Sequence, residues 1–277
     1  MKRLLIFIVM LLLLIGCTSN LETSKTASTN ISAKKELVFG FTPGPYSDQV
    51  RKVIKPYLEK KGYKISIVEF NDIVQPNFAL SKGELDVNIF QHTAYFKAFT
   101  KENKLNLSEV LKVPTAPMGL YSKKHKSLDE VNSKIKITAP NDPVNFARSL
   151  RILEEVNWLT LTQNINPLTV SEQNISKRNK DFSFTTLEQP QLPRSLDDAD
   201  YALINGNFAI ASGIKISEAL AIEDPPFEYQ NLVAVRQEDK NKQFVKDIIE
   251  AYHSPEFKKL IETDPSFKGF WKPDYMK

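Results

Sequence analysis

Arg148 heads the residues of this sequence that could do chemistry. It stands in Lys136–Leu150, KITAPNDPVNFARSL, one turn into a segment that reads as a helix behind a strand. A strand that runs into a helix N-terminus offers free backbone N–H groups, and with an arginine beside them it can seat an anion. A guanidinium grips a carboxylate through two parallel hydrogen bonds, which fixes orientation as well as charge. The same segment also fits a surface arginine on an amphipathic helix with an ordinary cap. Phe90-Gln91-His92-Thr93-Ala94-Tyr95 puts two aromatics and an imidazole close together. They could wall an apolar pocket with a polar tip, or simply pack in a core around a satisfied histidine. Asn205-Gly206-Asn207 offers carboxamides that can donate to a carboxylate and accept from an ammonium. Asparagine is also common turn chemistry. Asp197, Asp198 and Asp200 form an acidic cluster, but no histidine or glycine follows at ligand spacing, so it reads as a solvated face and no metal is expected.

Those residues need elements to hold them. Ile135 and Ile137 alternate with polar neighbours as in a half-buried strand. Asn141, Asp142 and Pro143 stop that strand and supply an N-cap with proline at the first helical position. Phe146, Leu150 and Leu153 then form an apolar stripe, with Arg148 off it. Upstream, Glu36–Phe41 reads as a strand and Thr42-Pro43-Gly44-Pro45 as a turn. Val50, Val53, Ile54, Tyr57 and Leu58 repeat at helical spacing up to Gly62, and Pro56 predicts a bend or a later start. Ile65–Phe70 predicts a strand, Asp72–Ser81 a helix ended by Gly83, and Leu85, Val87 and Ile89 a third strand. Asp200–Ile204 is a further strand, and Gln191–Asp200 carries Pro193 at the start of a short helix. This alternation predicts an α/β fold with mostly parallel sheets covered by helices on both faces. Ligands then bind beyond the C-terminal ends of the strands.

The N-terminus reads as a targeting signal. Lys2 and Arg3 precede Leu4–Ile15, an unbroken apolar run too short to span a bilayer stably. Leu14-Ile15-Gly16-Cys17 matches a bacterial lipoprotein cleavage site, with the sole cysteine where lipid would be attached. Residues 1–16 are the expected signal and 17–35 a polar, flexible tether. Losing the signal lowers the formal charge from +4 to +2, which removes any basic-surface argument for nucleic acid. A single cysteine leaves no disulfide and no cysteine-based metal or redox site. The remaining body suffices for one large domain or two lobes. A hydrolase built on His92 finds little support. There are three histidines and nine glycines in all, with no G-x-S-x-G elbow, HExxH pair or phosphate-binding glycine loop. A surface antigen or adhesin without transport is the other alternative.

Six segments carry a family resemblance: TPGP at Thr42–Pro45, VEFNDIVQPN at Val68–Asn77, GELDVNIFQH at Gly83–His92, PMGLYSKK at Pro117–Lys124, PNDPVNFARSL at Pro140–Leu150, and QLPRSLDDADYALINGN at Gln191–Asn207. In this order, behind a lipoprotein signal, the chain resembles the methionine-binding lipoproteins, the substrate-binding components of bacterial methionine ABC transporters. The resemblance covers about residues 36–250 and is loose through Asn157–Asp181. It implies a periplasmic-binding-protein-like fold of two lobes, 36–120 with 230–277 and 121–229, that close on an amino acid. The crossings would lie near Met118–Ser122 and Asn231–Val235. It further implies that Asn141, Asn145, Arg148 and Asn205 hold the α-carboxylate and α-amino groups, while Phe90, His92 and Tyr95 line the side-chain pocket. Ile73 stands where the family usually has a tyrosine, and Phe146 and Ala147 replace smaller residues, so the side-chain pocket is altered. Methionine, a related apolar amino acid or a methionine-containing peptide remain open as ligands, as does the enantiomer. The implied partners are a permease and an ATPase, with a lipid on Cys17 holding the protein at the extracytoplasmic face of a membrane. No cofactor is implied. The aromatic, basic tail Phe267–Lys277 is expected to cap the first lobe or touch a partner.

Overall fold

Glu36–Phe41 forms the strand its apolar run predicts and becomes β1, an interior strand of the first sheet. The protein is described here from a computed structural model, over residues 34–131, 133–163, 170–224 and 226–277. The expected signal, Cys17 and nearly all of the tether lie outside the described residues. After the TPGP turn, α1 (Pro45–Gln49) passes through a π-helical turn, Val50–Ile54, into α2 (Lys55–Lys60). The bend expected at Pro56 takes that form, because the wider turn just before the proline accommodates its missing N–H and its ring. Gly62 ends the helix at φ 88°, left-handed as expected. Then come β2 (Lys64–Glu69) and α3 (Gln75–Ser81). α3 starts later than predicted, since the Asp72 carboxylate accepts from the backbone N–H of Val74 (2.8 Å) and Gln75 (2.7 Å) in a turn of its own. β3 is only Val87–Asn88 before the chain leaves for the site. α4 (Thr93–Glu102) and β4 (Leu107–Lys112) follow.

The chain then enters a second sheet with β5 (Gly119–Tyr121) and β6 (Ile135–Pro140), from which α5 (Pro143–Glu155) starts. Asp142 is the N-cap of α5 and Pro143 its first residue, as predicted. Leu150 and Leu153 are fully buried and Phe146 packs on Phe184. Arg148 is buried too, so this helix is covered on two faces rather than one. β7 (Leu159–Leu161) and β8 (Ile175–Arg178) form a separate hairpin, and β9 (Phe182–Leu187) joins the second sheet. α6 (Leu192–Ser195), β10 (Tyr201–Ile204), α7 (Gly206–Ala211) and β11 (Ala221–Ile222) complete it in the order β11-β5-β10-β6-β9.

β12 (Leu232–Arg236) returns to the first sheet, whose order is β2-β1-β3-β12-β4. α8 (Gln243–Tyr252) and α9 (Pro255–Thr263) cover it. Phe267, Phe270 and Met276 of the tail join the same core, and Trp271 pairs with Thr115, so the tail caps this lobe. The result is an α/β fold of two lobes. Both sheets are mostly parallel, as expected, each with one reversed strand: β12 runs antiparallel to β3 and β4, and β5 antiparallel to β10 and β11. These are the strands entered from a crossing, which no crossover helix precedes to turn them parallel. A further buried cluster joins Ile73, Phe90 and Tyr95 from one lobe to Val144, Leu192 and Phe208 from the other.

Candidate ligand-binding site

The loops beyond β3, β6 and β10 converge on a small pocket. Phe90, His92, Tyr95 and Ile73 line it from the first lobe, and Asn145, Arg148 and Asn205 from the second. Seven of the predicted site residues are thus brought together. Asn141 is not: its exposed side chain donates to Glu188 Oε1 at 2.6 Å.

His92 caps α4. Its Nδ1 accepts from the backbone N–H of Tyr95 (3.2 Å), so the ring proton sits on Nε2, which donates to Asn145 Oδ1 at 3.1 Å. Burial, with the Arg148 charge nearby, drives the His92 pKa down to about 3, so the ring is neutral at physiological pH. Asn145 Oδ1 accepts a second bond, from Asn205 Nδ2 at 2.8 Å. The other end of the Asn145 amide donates to Asp142, which also takes Gln189 Nε2 at 2.8 Å. Burial pushes the Asp142 carboxyl up, against the pull of these donors. The network crosses from lobe to lobe through the His92–Asn145 bond. Asn205 Oδ1, buried at the cavity, has no partner among the described residues. It is an acceptor in search of a donor.

The anion seat expected at the start of α5 is corrected in two ways. The N–H of Asn145 there is already taken by the Asp142 carboxylate at 3.0 Å. Arg148 carries no free positive charge either: its Nε and Nη2 donate to the two oxygens of Glu223, a bidentate pair with both side chains buried. Glu223 Oε1 also accepts the Met118 N–H at 2.6 Å. Burial opposes the arginine's charge, yet Glu223 outweighs it and holds the Arg148 pKa above its ordinary value. The Tyr229 ring lies 5.2 Å from the guanidinium and packs edge-on against His92. Glu223 takes one N–H each from Nε and Nη2, which leaves the second N–H of Nη2 and those of Nη1 as the donors a ligand carboxylate could meet.

Sequence reasoning missed Glu223, Tyr229, Tyr46, Gln189 and Asn231. Glu223 sits in a short acidic, proline-rich stretch that looks like surface, with no periodicity to mark it. Asn231 had a readable neighbour, because the chain there pairs with His92. The TPGP turn is explained by close approach. Gly44, at φ 138°, passes so near Asn207 that a Cβ would fall 2.8 Å from its carbonyl oxygen. In the acidic cluster Asp197 pairs with Lys123 at 2.6 Å and Asp200 lies 3.9 Å from Lys124, and no metal-ligand group forms among the described residues.

The sequence profile of the NlpA lipoproteins matches residues 37–274, both sheets together. The chain belongs to the NlpA lipoprotein family. Among its relatives, the D-methionine-binding lipoprotein MetQ of Salmonella typhi is 40% identical over 213 residues, 76% of this chain and 77% of that protein. MetQ of Escherichia coli K12 is 38% identical over the same share. Of solved structures, a nutrient binding protein from Burkholderia cenocepacia bound to methionine superposes with a TM-score of 0.79 at 36% identity, over 84% of this chain and 97% of that one. The crystal structure of the methionine binding protein MetQ gives 0.80 at 34%, over 87% and 98%. The family expected from the six segments is therefore the family found, and NlpA lipoprotein architecture accounts for the two lobes.

Proposed function

We propose that this NlpA lipoprotein captures methionine, or a closely related apolar amino acid, and hands it to the permease of an ABC importer. The observation that carries the reading is one pocket, lined from both lobes, where a guanidinium, an unpartnered carboxamide oxygen and apolar rings converge. Arg148 takes the α-carboxylate. Asn205 Oδ1 takes the α-ammonium, helped by the π face of Phe90. Phe90, Tyr95 and Ile73 enclose the side chain, and His92 and Asn145 hold the two lobes together over it. The hinge is the pair of crossings that separate β4 from β5 and β11 from β12.

The methionine ligands of the Burkholderia cenocepacia protein and of MetQ support this reading. His92 offers no free base, because its ring nitrogens are hydrogen-bonded to Tyr95 and Asn145. In the proposed setting Cys17 carries lipid and the tether lets the body reach a permease from the extracytoplasmic face of the membrane. No helix among the described residues is long and apolar enough to cross a membrane. Calorimetric titration of the purified protein with a panel of amino acids tests the function. Saturable binding of methionine, with weaker binding of charged amino acids, is expected. No heat with any apolar amino acid would refute it.

A further inference from the structure

We infer that Glu223 determines the charge class of ligand that this cavity accepts: a net-neutral zwitterion rather than a bare carboxylate. The inference rests on the amino-acid reading above and adds a residue that does not itself touch the cavity. Glu223 stands behind Arg148, with both carboxylate oxygens on the guanidinium. It is fixed from both crossings, since Oε1 takes the Met118 N–H and its own N–H donates to the Met118 carbonyl at 3.2 Å. It therefore cannot step aside for a ligand without breaking the contact between the crossings.

The charge balance follows. Arg148 and Glu223 cancel as a pair with both side chains buried. A zwitterion keeps that balance, whereas a bare carboxylate leaves a buried negative charge with no counter-charge. Of the other charges nearby, Asp142 is held only by the amides of Asn145 and Gln189, so it too favours a ligand that brings an ammonium, while Lys112 is paired with Glu109 and His92 is neutral. Glu223→Gln keeps the shape and frees one positive charge. The bare carboxylate then supplies what is missing, and the zwitterion does not.

The test titrates the full chain in detergent with methionine and with its desamino analogue, a thioether carboxylate, for wild type, Glu223→Gln and Glu223→Asp. Melting curves verify folding, and Glu223→Asn replaces Glu223→Gln if the latter does not fold. The ratio of the two dissociation constants is expected to move about tenfold or more toward the desamino acid in the neutral variant, as removal of a like charge implies. Glu223→Asp should keep the wild-type preference. Equal weakening of both ligands in the neutral variant overturns the inference and leaves Glu223 a structural residue. A wild type that binds no methionine overturns the amino-acid reading itself, and this inference with it.

Discussion

Arg148 and Glu223 show how a binding residue and its partner divide their work. Removing one half of a buried ion pair strands the other, which typically costs about 3–5 kcal/mol, while replacing both by apolar residues is often neutral. Arg148→Ala should therefore lower folding stability by about that amount, read by denaturant unfolding, besides weakening ligand binding. Arg148→Met with Glu223→Leu should recover most of the stability. If the single variant unfolds like wild type, the pair contributes nothing. Ile73→Tyr adds a ring to the wall without touching the bond from Tyr95 Oη to the carbonyl of residue 73 (2.9 Å). Methionine affinity should rise in calorimetry, and a flat or reduced affinity would show a wall built on other contacts. At this scale the sequence was half legible. The residue type of Arg148 and its place by a strand-to-helix junction marked it as a candidate for the site, and it does line the cavity. Its partner lies 75 residues away on the second crossing, where nothing local points back.

At the scale of elements, α5 is the part that must start in the right place. Asp142 caps it and orients Asn145 through both backbone and side chain. Asp142→Ala removes the cap, and a loss of about 1 kcal/mol, within the range of 0.5–2, is expected in denaturant unfolding. Methionine should bind more weakly as well, because the Asn145 amide loses its acceptor; unchanged binding would show that Asn145 is held without it. β1, β6 and the cap of α5 could be read from alternation and proline placement, which are local signals. The antiparallel entry of β5 and β12 could not, because strand direction there follows from where the chain crosses. Gly206 belongs to the same scale: a Cβ there would lie 2.4 Å from the Pro117 carbonyl on the first crossing. That contact too is invisible in sequence.

For the whole molecule, the bond between the lobes from His92 to Asn145 is made by a neutral imidazole. The His92 pKa falls from 6.5 to about 3 on burial. Above pH 6.5 the ring is neutral whether exposed or buried, and it adds no pH dependence. As pH falls below that value, the exposed ring takes up a proton that the buried one refuses, so the closed, folded state loses stability at up to about 1.4 kcal/mol per pH unit. Melting temperature and methionine affinity should both drop between about pH 6.5 and 4.5. His92→Asn retains a cap for α4 and an amide toward Asn145, and should flatten that slope. An unchanged slope would place the pH dependence on other groups. The two-lobed plan itself was legible only through the family resemblance, since alternating strands and helices do not say where a chain changes sheet.

The central claim is that the Arg148 guanidinium anchors the head group of a free amino acid. Calorimetric titration of the Arg148→Met, Glu223→Leu protein with methionine tests it most directly, because this variant is expected to stay folded. The account predicts a melting transition close to wild type and binding weakened at least a hundredfold, roughly the loss of a charge-assisted bond. A folded double variant that binds methionine as tightly as wild type would contradict it.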